Sequence, residues 1–342
     1  MKKWAFLGFA LLMVGCGGAN SASNGLTHNY LGTQAPGDVW SWQIDETSFA
    51  ATNQTLGLHY SGTKSTLSTG FMKLTVTSTD DSGVTAGQSA YALELPGTAL
   101  LIKPVGADTN PPIVASSLGS NPAGPQVSFN YVAIGKVGFN AATDQAYGHT
   151  TLDVTGNHYT GVTYQWAIDG TQLANGSANL MGENGLMTDL NGSNGASVTG
   201  AMTPSGVCAL DYGPNRGGVI GVKQPAANID LADLASRHYR GFLINQGKTQ
   251  CVDVTTNGDG TLHGRGYALG TGVEDGTFDG GAGVTISFTS QPNPGEIILH
   301  LAFGNGFETM AAAINVVDGK YMMFCIGVGG DGTPYNVVLV EN

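Results

Sequence analysis

The sequence predicts an all-β body, and three observations predict it. Apolar residues recur with a period of two, not 3.6, along most of the chain. Turn dipeptides rich in Gly, Asn and Asp fall between those runs. Charged residues are only 11% of the chain while Gly is 53 of 342 and apolar residues are 41%, a balance that opposes disorder and suits an exported β-protein with many tight turns.

The strands follow in order. Trp40, Trp42 and Ile44 share a face, either as core or as a sugar-stacking platform. Met72, Leu74 and Val76 alternate with Lys73, Thr75 and Thr77, and Val127, Phe129 and Tyr131 alternate with Ser128 and Asn130. Tyr164, Trp166 and Ile168 form a third such face, Val284, Ile286 and Phe288 a fourth, and Ile297, Leu299, Leu301 and Phe303 a fifth. Each reads as a strand with one buried and one wetter side. The turns between are Asp169-Gly170, Gly192-Ser193-Asn194-Gly195, Asn257-Gly258-Asp259-Gly260, Asp318-Gly319 and Asp331-Gly332. Asp318-Gly319, between two apolar runs, is the sharpest hairpin signal. One segment looks helical: Asn228–Ser236 follows Pro225, has an N-cap candidate in Asn228, and is expected as a short plug or connector.

Two recurrences bear on organisation. GVCALDYGPNRGGVIGV around Cys208 and MMFCIGVGGDGTPYNVVLV around Cys325 each place a cysteine in a strand, then a Gly/Pro turn, then a Val-rich strand. Each reads as the closing hairpin of a domain. The expected architecture is therefore two tandem antiparallel β-barrel-like domains, residues 26–224 and 225–342, with one short helix; a single large β-sandwich is the alternative. The pattern His-Tyr-x-Gly occurs at His59, His158 and His238. It reads as a strand start with a packed tyrosine and a glycine that allows a bend or bulge.

The first residues carry the one specific motif. Lys2 and Lys3 precede an apolar run from Trp4 to Val14, too short for a stable membrane span, which ends in Met13-Val14-Gly15-Cys16. This stretch resembles the lipobox signal peptide of bacterial lipoprotein precursors. The resemblance implies that residues 1–15 are removed and that Cys16 is lipidated by diacylglycerol and acyl chains such as palmitate. It also implies an outer-membrane product, periplasmic or surface-exposed, because Gly17 replaces the aspartate that retains many such proteins at the inner membrane. Residues 16–25 then form the anchor and a flexible small-residue tether. Cleavage would leave 327 residues and take the formal net charge from −12 to −14. The body resembles uncharacterised proteobacterial lipoproteins known only by a domain-of-unknown-function label, which implies no activity.

The acidic balance, with 13 Lys plus Arg against 25 Asp plus Glu, argues against nucleic acid and anionic lipid as partners. No GxSxG, HExxH or Walker motif occurs, and the GxGxxG match at Gly327–Gly332 lies too near the C-terminus for a dinucleotide fold. Asp80-Asp81 and Glu274-Asp275 are adjacent carboxylates, not pairs across a cleft. Asp253, Asn257 and Asp259 are a weak candidate cation site, since Thr255 stands where a calcium loop needs Asp. Cys251 and Cys325, in the same expected domain, are the candidate disulfide, with three unpaired buried thiols as the alternative. Trp40, Trp42, His158 and His238 are candidate ligand contacts. No cofactor is expected. The expected function is a non-enzymatic, lipid-anchored cell-envelope protein that binds an envelope protein, a glycan or a small apolar ligand, or has a structural role. The alternative is an envelope hydrolase whose acid and base groups meet only in the fold. A filled barrel favours the structural role and a dry cavity the apolar ligand.

Overall fold

The computed structural model describes residues 26–342 apart from 35–37, 105–112, 118, 120, 135–144, 174, 190–198, 212–217, 246–247, 270–272, 278–283, 304–305, 330–331 and 333. The expected signal peptide, Cys16, the expected tether, the 192–195 turn and Asp331 of the Asp331-Gly332 turn lie outside the described residues. The all-β expectation holds, and the strands close into three antiparallel barrels.

Barrel 1 comprises β1 (His28–Gln34), β2 (Asp38–Ile44), β3 (Ser48–Asn53), β4 (Leu58–Thr66), β5 (Met72–Thr79), β6 (Ser89–Leu95), β7 (Ala99–Pro104) and β8 (Ile113–Ser117). Each strand pairs with the next, and β1 returns to β8. Barrel 2 comprises β9 (Gln126–Ile134), β10 (Ala146–Thr155), β11 (His158–Ala167), β12 (Gly176–Glu183), β13 (Leu186–Asp189), β14 (Thr199–Met202), β15 (Val207–Asp211) and β16 (Gly218–Lys223). It closes where β16 meets β9. Barrel 3 comprises β17 (His238–Asn245), β18 (Lys248–Thr256), β19 (Thr261–Ala268), β20 (Glu274–Thr277), β21 (Val284–Asn293), β22 (Glu296–Phe303), β23 (Gly306–Val317), β24 (Lys320–Val328) and β25 (Pro334–Glu341). Its ring runs β18-β17-β25-β24-β23-β22-β21-β19 and back to β18, with β20 attached to β19. Closure pairs the strand edges that many short strands would otherwise leave open.

This corrects the expected count. The segment 26–224 holds two closed barrels in place of one, although the boundary at 224/225 falls one residue beyond the end of β16. The two cysteine hairpins do close barrels: β15–β16 completes barrel 2 and β24–β25 completes barrel 3. The His-Tyr-x-Gly copies fall one in each barrel, at or next to the first residue of β4, β11 and β17. Tyr159 and Tyr239 are buried inside their barrels and Tyr60 packs inside barrel 1. A Cβ at Gly62, Gly161 or Gly241 would collide with the carbonyl oxygen of Thr75, Thr151 or Val338 on the neighbouring strand. The glycines permit that close approach.

The expected helix is one 3-10 turn, Leu231–Leu234, capped by Asp230 and not by Asn228. Asp230 and Asp233 form a reciprocal capping box, and Ile229 and Leu234 enter the interior of barrel 3, so the segment is the expected plug. Asp318 and Gly319 both take positive φ, 52° and 76°, as a tight two-residue hairpin between β23 and β24 requires.

Four apolar clusters organise the packing. Three are the barrel interiors, containing Trp42 and Leu74, Phe129 and Tyr159, and Tyr239 and Ile314 respectively. The fourth lies between barrels and collects the outward faces of all three, including Leu101 and Val114, Ile220 and Val222, and Phe324 and Val338. Strands at this junction are buried on both sides. On β24, Met323 and Cys325 face into barrel 3 while Met322, Phe324 and Ile326 face the junction. The sequences reflect it: MMFCIGV, ALLI and GVIGV are near-continuous apolar runs, whereas solvent-facing β21 alternates. Phe324 is 0% exposed. Phe324→Ala is expected to lower unfolding stability by about 3–5 kcal/mol in a urea titration, the cost of a cavity where three walls meet.

Candidate functional site

The barrels differ in how they are filled. In barrel 1 the rings of Tyr60, Trp40, Trp42 and Phe49 stack in a row with centroid separations of 5.4, 5.7 and 6.1 Å. In barrel 2 Phe129, Tyr131 and Tyr159 crowd the interior. Barrel 3 instead encloses a cavity of about 570 Å³. Its inward-facing Leu243, Val254, Ile286, Phe288, Leu301 and Val337 are only partly buried, because they face the hollow and not packed neighbours. A volume of this size is ample for a small organic ligand.

The geometry follows from the strands. Leu234 on the plug lines one end of the cavity, with Thr256 and Ile314 near it. At the opposite end are Phe303 and Glu308, beside the β22–β23 hairpin, and Tyr335 at the start of β25. The Tyr335 hydroxyl donates to Glu308 Oε2 at 3.0 Å. To do so its ring crosses β24 over Gly327, where any Cβ would run into the ring. Burial, then the charge of Glu308 and the hydrogen bond to it, push the Tyr335 phenol well above its ordinary value, so it stays a protonated donor. The wall is weakest between β19 and β21, where closure rests on the residue pairs Thr261–Thr285 and Leu262–Val284.

The residues singled out in the sequence are not brought together there. Trp40 and Trp42 are buried in the interior of barrel 1. His158 is exposed at the start of β11. His238 hydrogen-bonds Asp253 through Nε2, but both lie on the outer wall of barrel 3, where Arg240 joins them with Nε at 3.6 Å from Asp253. Asp253 is therefore not shared with the β18–β19 turn. Asn257 donates to Thr261 Oγ1, and Asp259 accepts from the Thr261 N–H and hydroxyl, so both are occupied in shaping the turn. Among the described residues no group of three or more His, Cys, Asp or Glu is placed to hold a metal.

The Cys251–Cys325 disulfide is also corrected: both thiols are free. The β17 and β25 strands separate β18 from β24. Cys251 faces the inter-barrel junction while Cys325 faces the cavity, so the barrel wall itself stands between them. The alternative of three unpaired buried thiols is what the structure contains.

The cavity lining and the Glu308–Tyr335 pair have no signature of their own in the sequence. Leu299, Leu301 and Phe303 share one face by alternation, but alternation does not distinguish a face that packs from one that lines a hollow. No protein-family model matches the chain, and no curated protein matches it in sequence.

Burial pushes the thiols of Cys208, Cys251 and Cys325 up from 9.0 to about 12. The unfolded chain ionises these groups near their ordinary value, so their contribution to stability is complete below about pH 9 and is lost as pH rises toward about 12. Iodoacetamide labelling with site-resolved mass spectrometry is expected to leave all three unmodified in the native protein at mildly alkaline pH and to modify all three in denaturant. Urea midpoints are expected to fall steadily above about pH 9.

Proposed function

We propose that this is a lipid-anchored protein of the bacterial cell envelope whose third barrel binds a small apolar ligand without transforming it. The observation that carries the ligand reading is the apolar cavity of about 570 Å³ in barrel 3, beside two barrels filled with aromatic side chains. Burial of apolar surface supplies the affinity, and the Glu308–Tyr335 pair supplies a polar contact at one end. The non-enzymatic reading is supported by the same lining: its phenol and thiol, on Tyr335 and Cys325, are both pushed toward their protonated forms by burial, which makes them poor nucleophiles and poor bases. The anchor rests on Met13-Val14-Gly15-Cys16 following a basic and apolar leader. Among the described residues no helix is long and apolar enough to cross a membrane.

Native mass spectrometry of the full chain isolated from envelopes is expected to find an apolar small molecule retained. Leu301→Trp, which places an indole in the hollow, is expected to reduce its occupancy at least severalfold while leaving the strand signature in circular dichroism intact. Equal occupancy in Leu301→Trp would exclude the barrel 3 site. Separately, Cys16→Ala is expected to abolish labelling by radioactive palmitate and to shift the protein out of the membrane fraction; retained labelling would refute the anchor.

A further inference from the structure

A second pocket, of about 240 Å³, lies where barrel 1 meets the open end of the β24–β25 wall of barrel 3. It is lined by Lys64, Arg240 and Lys320, so three of the chain's 13 Lys and Arg residues converge there in a protein of formal net charge −12. Two carboxylates, Glu94 and Glu341, share the lining, and both are engaged. Glu94 Oε1 accepts from the Tyr30 hydroxyl at 2.7 Å and lies 2.8 Å from His28 Nδ1. Glu341 accepts from Arg237 Nη1 and, at 3.0 Å, from the backbone N–H of Tyr321. The cations are less satisfied. Lys64 stands 3.8 Å from Glu94, and Lys320 has no carboxylate within ion-pair reach among the described residues. The Arg240 guanidinium lies over Gly70, at φ +83°, where any side chain would displace it, and its Nη1 donates to Asn342 Oδ1 at 2.8 Å. Its Nε is buried without a hydrogen-bond acceptor, 3.6 Å from the Asp253 carboxylate with which it pairs on the outer wall.

Three cationic side chains around a small concavity, with Glu341 paired to Arg237 and Glu94 hydrogen-bonded by Tyr30, suit a compact anion with several acceptor oxygens. We propose that this pocket binds a phosphate group. Its position relates the site to the anchor: His28, bonded to the lining residue Glu94, is the first residue of β1. Cys16 lies twelve residues before His28, a covalent reach of at most about 40 Å. The phosphate of a lipid headgroup is therefore within range of the site if Cys16 is lipidated, as is a free phosphate compound from solution. Recognition of phosphate does not depend on the cavity of barrel 3.

Isothermal titration of the full chain in dodecyl maltoside micelles, which carry no phosphate, tests this with inorganic phosphate in one arm and dihexanoyl phosphatidic acid in the other. Saturable binding is expected in at least one arm, and Lys320→Gln is expected to weaken it about tenfold, as is Lys64→Gln. Lys73→Gln, a barrel 1 lysine outside the pocket, is expected to bind like the parent protein. Binding of the lipid alone assigns the site to headgroups; binding of both assigns it to phosphate groups in general. No saturable binding in either arm, or binding unchanged in both Lys320→Gln and Lys64→Gln, overturns the proposal. The inorganic phosphate arm needs no anchor, so its outcome is separate from that of the Cys16→Ala experiment.

Discussion

The constraint on which the structure depends is that the barrels share apolar walls. A β-barrel can bury its inward residues alone and leave its outer wall to water. Here the outer faces of β7, β8, β15, β16, β24 and β25 are apolar as well, and they cover one another in one continuous cluster. This is why so few charges suffice. Much of the outer wall that would need solvating is not surface at all. The junction also has polar ties at its margins. Thr98 Oγ1 donates to Asp318 Oδ2 at 3.1 Å, linking barrel 1 to the β23–β24 hairpin. On the other side His149, Asn293 and Glu296 form a hydrogen-bonded trio between barrels 2 and 3. Glu296 is 1% exposed, so those bonds compensate part of the cost of burying its carboxylate.

Barrel 3 takes on the binding role in the proposed function because, among the described residues, aromatic rings occupy the interiors of the other two barrels where barrel 3 is hollow. Rings stacked across barrel 1 and packed into barrel 2 fill the axis, as eight-stranded barrels allow. In barrel 3 the large side chains stay at the wall and the ends: Leu234 on the plug, Phe288 and Phe303 along β21 and β22, and Tyr335 laid across Gly327. The hollow is then held in shape from outside, since β24 and β25, which line it, are fixed on their other face by the junction.

Much of this was legible residue by residue. The alternation of Met72–Thr77, Val127–Tyr131 and Val284–Phe288 marked real strands, and Asp318-Gly319 marked a real hairpin. The hairpins carrying Cys208 and Cys325 were correctly read as closing elements. The number of barrels was not, although a signal existed: the three His-Tyr-x-Gly copies fall one per barrel. They sit on different strands of each ring, so they do not align as a domain repeat. The doubly buried runs ALLI, GVIGV and MMFCIGV were a second signal, for strands packed on both faces. The candidate disulfide failed because shared domain membership says nothing about which side of a wall a cysteine faces.

By itself the sequence determined the local grammar: which segments are strands, where they turn, and the near-absence of helix. These follow from side-chain periodicity and from backbone freedom at Gly, Asn and Asp, which act over a few residues. Only the tertiary structure decided how many rings those strands close, which outward faces are covered, and that the interior of barrel 3 is hollow. Those outcomes depend on pairings between strands far apart in the chain, such as β1 with β8 or β17 with β25, and on the volumes that meet inside each ring. The cavity-lining residues Leu301, Glu308 and Tyr335 acquire their significance there, because an inward face becomes a packed core or a binding surface according to what stands opposite it.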